Sequence, residues 1–362
     1  MIISRIQTNP NGSQMCRIRI ENIQPIELDL YSNRNFLHDH SLYFCAVLFV
    51  AKMKKSQYPE PVLSYTNQSL TEIPPNDLKN PKWKSIILES NRIHSLPDNL
   101  PSLVHLAIKR NLFIEHPDIK LPLIIPQNLV NSILTYSNLQ VLDLSHNLLT
   151  DFPPQFSSLK SLKELHLSEN RLTQFTIPQF PQLTTLNLSR NNFTSFPSNV
   201  LDENSADPSL ITTNIAHFSL SFNDISSITG DDLKYLRYIQ RLSLTLVGLQ
   251  SLTFVSSEKK ILLFNRLTEM DISMNCLTQL PNFSVVTPIL KKLNASFNML
   301  KQFPKLPPTI VSIDLSYNEI AKIPSNCKNL FPLLQTMIIT NNQLISIPEL
   351  PNSIDIQFVL II

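Results

Sequence analysis

Glycine is almost missing from this chain: 362 residues contain three, Gly12, Gly230 and Gly248. Neither the dinucleotide-binding pattern nor a phosphate-cradling loop can be written with them, which argues against ATP, GTP or NAD chemistry within the chain. The same shortage forbids a nucleophile elbow for its many serines. Cysteine is scarce too, with Cys16, Cys45, Cys276 and Cys327 scattered without CxxC spacing. That usage points to a reducing, cytoplasmic home. Charged residues make up only 16% and the net charge is +2, without the dense basic patch of a nucleic-acid reader. The apolar run Leu42–Ala51 is half the ~20 residues needed to span a bilayer, and it sits too far in for a signal peptide. It reads as a buried strand or helix of a cap, or as sequence not native to the protein.

What is present is repetition. Twelve times a phrase returns: two apolar residues two apart, an asparagine three on, then another apolar residue. Examples are Ile86-x-Leu88-x-x-Asn91-x-Ile93 and Ile313-x-Leu315-x-x-Asn318-x-Ile320. The asparagines are Asn91, Asn111, Asn147, Asn170, Asn191, Asn223, Asn275, Asn298, Asn318 and Asn342. Gln68, beside Asn67, and Val247 hold that place in the other two copies. Period-2 apolar pairs such as Leu165/Leu167 face inward from a short strand, so the residues between them face out. The asparagine amide can both donate to and accept from backbone groups where the chain turns. Stacked copies predict an asparagine ladder between coils, with a local defect at Val247.

Nine copies place proline six residues after the asparagine position: Pro74, Pro97, Pro117, Pro153, Pro197, Pro281, Pro304, Pro324 and Pro348. Proline fixes φ and lacks an N–H, so the return path should be extended, with short 3₁₀ turns and brief helices. The segment from Leu139 to Pro153 follows LxxLxxLxLxxNxLxxLP and resembles the Ras-group intracellular leucine-rich repeats. Shorter copies, such as Phe303–Ile310, are similar to the 20-residue proline-marked class. The resemblance covers residues of about 62–361 and implies an α/β solenoid, a horseshoe with a parallel concave sheet. Extracellular members of that family commonly carry cysteine-rich caps, which this sequence lacks at both ends. Sequons at Asn187, Asn192 and Asn294 arise from the repeat phrase itself.

The solenoid is assigned to residues 53–362, about twelve repeats ending inside a further one that begins at Ile354-Asp-Ile356-Gln-Phe358. No polar cap follows, so the end is read as incomplete or covered by another segment. Residues 1–52 fit poorly: Leu28-Asp-Leu30-Tyr-Ser-Asn33 imitates half the phrase, with Asn35 in the place of the next leucine. A degenerate repeat, a cap, or a native start at Met53 are the open readings. Asparagine positions lie 20–24 residues apart with three exceptions. The insert before Asn147 holds Asn128–Tyr136, spaced for one or two helical turns on the convex side. The insert before Asn223 is a polar loop around Asp202, Glu203 and Asp207, and the one before Asn275 carries Ser256–Lys260.

No catalytic residues, cofactor or metal ligands are assigned. His38-Asp39-His40 lacks a third, spaced ligand. His105, His146, His166 and His217 fall on different coils and columns, as expected of solvated histidines on a sheet face. Just before the asparagine, the later copies carry Phe222, Leu246, Met274, Phe297 and Tyr317, a row with the composition of an interaction hot spot. Such aromatics can equally cover the next coil, and both readings stay open. With Asp143, Asp271 and Asp314 in the central column, Phe222, Met274, Phe297 and Tyr317 form the candidate partner-binding face. Ras-group resemblance implies protein partners, such as a small GTPase or a phosphatase, for a signalling scaffold. The alternative it implies is the regulatory part of a larger protein phosphatase, adenylyl cyclase or kinase, with catalysis outside the repeats.

Overall fold

The computed structural model describes the backbone of residues 2–8, 14–19 and 26–29, and residues 58–77, 82–111, 124–175, 180–197, 214–346 and 349–351 in full. The run 42–51, the pair His38/His40, the loop around Asp202, Glu203 and Asp207, and the segment 354–362 lie outside the described residues. The chain divides into two compact units, 1–57 and 58–362. The first holds a three-stranded antiparallel sheet of Ile2–Thr8, Gln14–Arg19 and Ile26–Asp29.

The second unit is a twelve-stranded parallel sheet in strict chain order. Its strands are Val62–Thr66, Ser85–Glu89, His105–Ala107, Val141–Asp143, Glu164–His166, Thr185–Asn187, His217–Ser219, Arg241–Ser243, Glu269–Asp271, Lys292–Asn294, Ser312–Asp314 and Thr336–Ile338. Each apolar residue pairs with its counterpart in the next copy, as in Leu142↔Leu165↔Leu186. Parallel neighbours need a crossover, and each copy supplies one whole coil. Inward residues of the phrase are fully buried; Leu165, Leu167 and Leu172 are all 0% exposed. Burial of each such leucine stabilises the coil by about 1.5–3 kcal/mol.

The return paths are mostly irregular, with a 3₁₀ turn at Pro154–Ser158 and four-residue helices at Gly230–Leu233, Phe283–Val286 and Cys327–Leu330. Periodic proline explains this: it removes the donors a longer helix would use. The longer helix Gln127–Leu134 occupies the insert before Asn147, whose spacing predicts helical turns, and buries Leu129, Val130 and Ile133. It is tied to the preceding coil by Ser132 Oγ donating to the Leu96 carbonyl at 2.9 Å. Phenylalanines at the same place in successive coils meet, Phe152 lying 5.3 Å from Phe175 between centroids.

The asparagine ladder forms. In a typical rung, Asn170 Nδ2 donates to the Leu144 and Leu167 carbonyls at 3.0 Å each, and Oδ1 accepts from the Leu149 amide at 2.9 Å. Asn91 closes the first coil by accepting from the Gln68 and Leu70 amides, both at 3.1 Å. At Val247 the expected defect is smaller than the sequence suggests. The Ile225 amide, which an asparagine oxygen would have taken, bonds instead to the Val247 backbone carbonyl at 2.7 Å. The Leu220 carbonyl keeps a donor in Asn223 Nδ2 at 2.7 Å. Strand register continues unbroken from Phe218 through Leu242 to Met270.

Candidate functional site

Four columns of side chains run along the outward face of the sheet. The residue just before each asparagine forms the edge column, and its backbone is left-handed in all twelve coils, φ between 50° and 61°. None of the twelve is glycine. The cause is visible in the hydrogen bonds: eleven of these amides, all but that of Asn341, turn to the next coil, as Phe297 N to the Ser316 carbonyl at 2.9 Å and Met274 N to Ser296 at 2.9 Å. A left-handed L-residue costs roughly 1–2 kcal/mol, so one coil's bonds hold its neighbour's strained residue. This left-handed column is not evident from the residue types, because the non-glycine residues conceal it.

The edge column changes character along the array. In the middle coils it is polar: His146 Nδ1 lies 2.8 Å from Glu169, and Glu169 lies 3.7 Å from Arg190 Nε. Arg190 lies over the Phe222 ring at 4.1 Å. Beyond it come Leu246 and Met274, 43% and 36% exposed, and then Phe297 stacked on Tyr317 at 4.0 Å and 11°. Leu246 and Met274 are exposed, while Phe222, Phe297 and Tyr317 are half-buried and lie on successive coils of the same edge.

Two residues before the asparagine lies a hydroxyl column, Ser145, Ser168, Ser189, Ser221, Thr245, Ser273, Ser296, Ser316 and Thr340. Where the central column beside it carries Asp or Asn, one oxygen takes both the serine amide and hydroxyl. Asp271 Oδ1 accepts from Ser273 N at 3.0 Å and Oγ at 2.6 Å, and Asn294 makes the same pair with Ser296 at 3.2 and 2.8 Å. Asp314 repeats it with Ser316 at 2.9 and 2.6 Å.

The three candidate aspartates are not equivalent. Asp143 is buried and paired with Lys109 Nζ at 2.7 Å. Burial alone would raise its carboxyl, but Lys109, His166 and the Ser145 hydroxyl together hold it below the usual carboxylate range. Asp271 takes a further bond from Asn294 Nδ2 at 3.1 Å. Asp314 is pushed up by burial and by the charge of Asp271, against the bonds from Ser316. Among the described residues, no Lys, Arg or His pairs with Asp271 or Asp314.

The outer column, six before the asparagine, holds a three-coil ion chain in which Glu269 meets Arg241 at 3.2 Å and Lys292 at 3.0 Å. His105 belongs to this column, and its expected solvation is corrected by the structure. Tyr58, preceding the first strand, lies 4.6 Å from it ring to ring, and His105 is 7% exposed. Burial first, with the charges of Lys109 and His166, lowers its pKa to about 4. Among the described residues no cluster suits a metal ion, and no helix is long and apolar enough to cross a membrane.

Short stacked coils, a continuous parallel sheet and an amide ladder define a leucine-rich-repeat solenoid of the horseshoe kind. Family models described as "Leucine Rich repeats (2 copies)" and "Leucine Rich Repeat" match residues 137–179 and 182–203, so the chain carries leucine-rich repeats. It is similar to a Ras guanine nucleotide exchange factor V of Dictyostelium discoideum, 31% identical over 44% of this chain and 7% of that protein. An adenylate cyclase of Schizosaccharomyces pombe is 32% identical over 51% of this chain and 10% of its own length. The chain thus spans a tenth or less of these two relatives. Human lumican is 29% identical over 68% of this chain and 74% of its own length. Among solved structures, YopM, a leucine-rich effector protein from Yersinia pestis, aligns with TM-score 0.55 at 20% identity, covering 81% of this chain and 69% of that one.

Proposed function

We propose that this solenoid is a protein-binding module of cytoplasmic signalling, which captures partners on its concave face without chemistry of its own. The observation that carries the reading is the contiguous edge column from Phe222 through Leu246 and Met274 to the Phe297–Tyr317 stack. Strained left-handed backbone presents these side chains along one line, and two of them are more than a third exposed. Large apolar and aromatic side chains in a row are the usual anchors of binding energy. Partial matches to a Ras guanine nucleotide exchange factor and an adenylate cyclase support a signalling setting. A small GTPase or a protein phosphatase is the partner class in this reading. The adenylate cyclase match also favours a second reading, in which the array is the regulatory arm of a larger signalling enzyme.

The test is a binding screen of the full chain against GTP-loaded Ras-type GTPases and phosphatase catalytic subunits by interferometry. Each anchor is worth about 2 kcal/mol, so Phe297→Ser with Tyr317→Ser should weaken a hit by about a thousandfold. Thermal stability should stay nearly unchanged. Unaltered binding by the double variant would remove the concave face from the mechanism, and absence of any hit would remove the partner class.

A further inference from the structure

The two halves of the outward face answer the same chemical demand differently. In the early coils the chain supplies its own cations: Lys109 neutralises Asp143 of the central column at 2.7 Å, and Arg190 covers Phe222 of the edge column at 4.1 Å. Lys109 reaches Asp143 because it stands in the hydroxyl column of the preceding coil, where later coils carry serine or threonine. The corresponding neighbours of Asp271 are Thr245 and Ser296, and those of Asp314 are Ser296 and Thr340. None is charged. The nearby outer-column cations Arg241 and Lys292 are already shared by Glu269. Asp271, Asn294 and Asp314 therefore form one acidic line over three successive coils, linked by the Asn294–Asp271 bond at 3.1 Å. Parallel to it, three residues further along the chain, run Met274, Phe297 and Tyr317.

From this charge complementarity we infer that the later coils receive a linear partner segment carrying a Lys or Arg next to an aromatic or branched aliphatic side chain. The cation sits over the Asp271–Asp314 line and the apolar neighbour packs on Met274 and the Phe297–Tyr317 stack, reproducing between molecules what Lys109–Asp143 does within this one. An ammonium or guanidinium is the fitting group, because charge-assisted bonds to carboxylates are stronger than neutral ones. This inference rests on the concave-face reading above and specifies its ligand.

The probe is a library of random 12-residue peptides on phage, selected against the immobilised full chain. The best sequence is then synthesised and its affinity measured by fluorescence anisotropy. Selected peptides should be enriched in Lys or Arg beside apolar residues. Asp271→Asn with Asp314→Asn should weaken the peptide about ten- to a hundredfold. Replacing the peptide's cation by citrulline or norleucine should do the same. These variants keep the fold, because the chain already uses asparagine at Asn187 and Asn294 with the same serine bonds. Peptides lost on Phe297→Ser/Tyr317→Ser but indifferent to the two Asp→Asn changes would overturn this inference and leave the concave face standing. Peptides indifferent to all four changes would overturn both, and no enriched sequence would overturn the peptide occupant.

Discussion

Asn275→Ala tests how the coils are tied together at the weakest rung. Its Oδ1 accepts from the Val247 and Leu249 amides, both at 3.0 Å, and its Nδ2 donates to the carbonyls of Leu244, Ile272 and Ser273 at 2.8, 2.9 and 3.1 Å. After truncation, Ile272 keeps a donor in Asn298, and Ser273 keeps the Leu246 amide. The Val247 and Leu249 amides and the Leu244 carbonyl lose the bonds described here, and the carbonyl has no second donor because Val247 lacks a side-chain amide. Each buried orphan costs about 1–3 kcal/mol, so three should cost about 3–6 kcal/mol after some relief by entering water. Asn298→Ala is the internal control. It orphans only the Leu277 amide, since the Ile272 and Ala295 carbonyls retain Asn275 and Asn318 as donors. That change should cost about 1–3 kcal/mol. Urea unfolding of the two variants side by side reads the difference. Native-state hydrogen exchange at Val247 and Leu249 localises it, because repeat arrays lose stability coil by coil. Equal losses in the two variants, or unchanged protection of those amides, would refute the reasoning.

Two further outcomes follow from close packing and from burial. A Cβ on Gly230 would lie 2.6 Å from the Ser256 amide nitrogen and the Val255 carbonyl carbon, both backbone. Gly230→Ala should therefore cost about 1–3 kcal/mol and open Ser256–Lys260 to limited proteolysis, while Gly248→Ala leaves that loop protected. His105, lowered from 6.5 to about 4, gives the pH dependence. The unfolded chain takes up the proton at higher pH than the folded one, so stability present above pH 6.5 is lost as pH falls towards 4. The loss should reach about 2 kcal/mol by about pH 5. His105→Gln should flatten this part of the profile, read as urea midpoints at neutral and acid pH; an unchanged slope would exclude His105 as its source.

The period, the inward leucines, the asparagine ladder and the proline-marked return path are legible in the sequence. Each follows from a local rule: alternation puts Leu165 and Leu167 on one side, an amide can bridge coils, and proline cannot continue a helix. The helix Gln127–Leu134 was legible for the same reason, through its spacing of Leu129, Val130 and Ile133. What depends on which coil lies next was not. Val247 reads as a broken rung, yet its own backbone carbonyl supplies the acceptor that its side chain lacks. His105 reads as a solvated histidine, yet Tyr58, 47 residues earlier in the chain, covers it. The three aspartates look alike in the phrase, and only stacking gives Asp143 a lysine while leaving Asp271 and Asp314 with hydroxyl and amide neighbours. Sequence by itself determined the coil, because a coil is made of contacts a few residues apart. Tertiary structure decided the chemistry of the face, because each column is assembled from residues some twenty positions apart, and its charges and strain are set by the coils on either side.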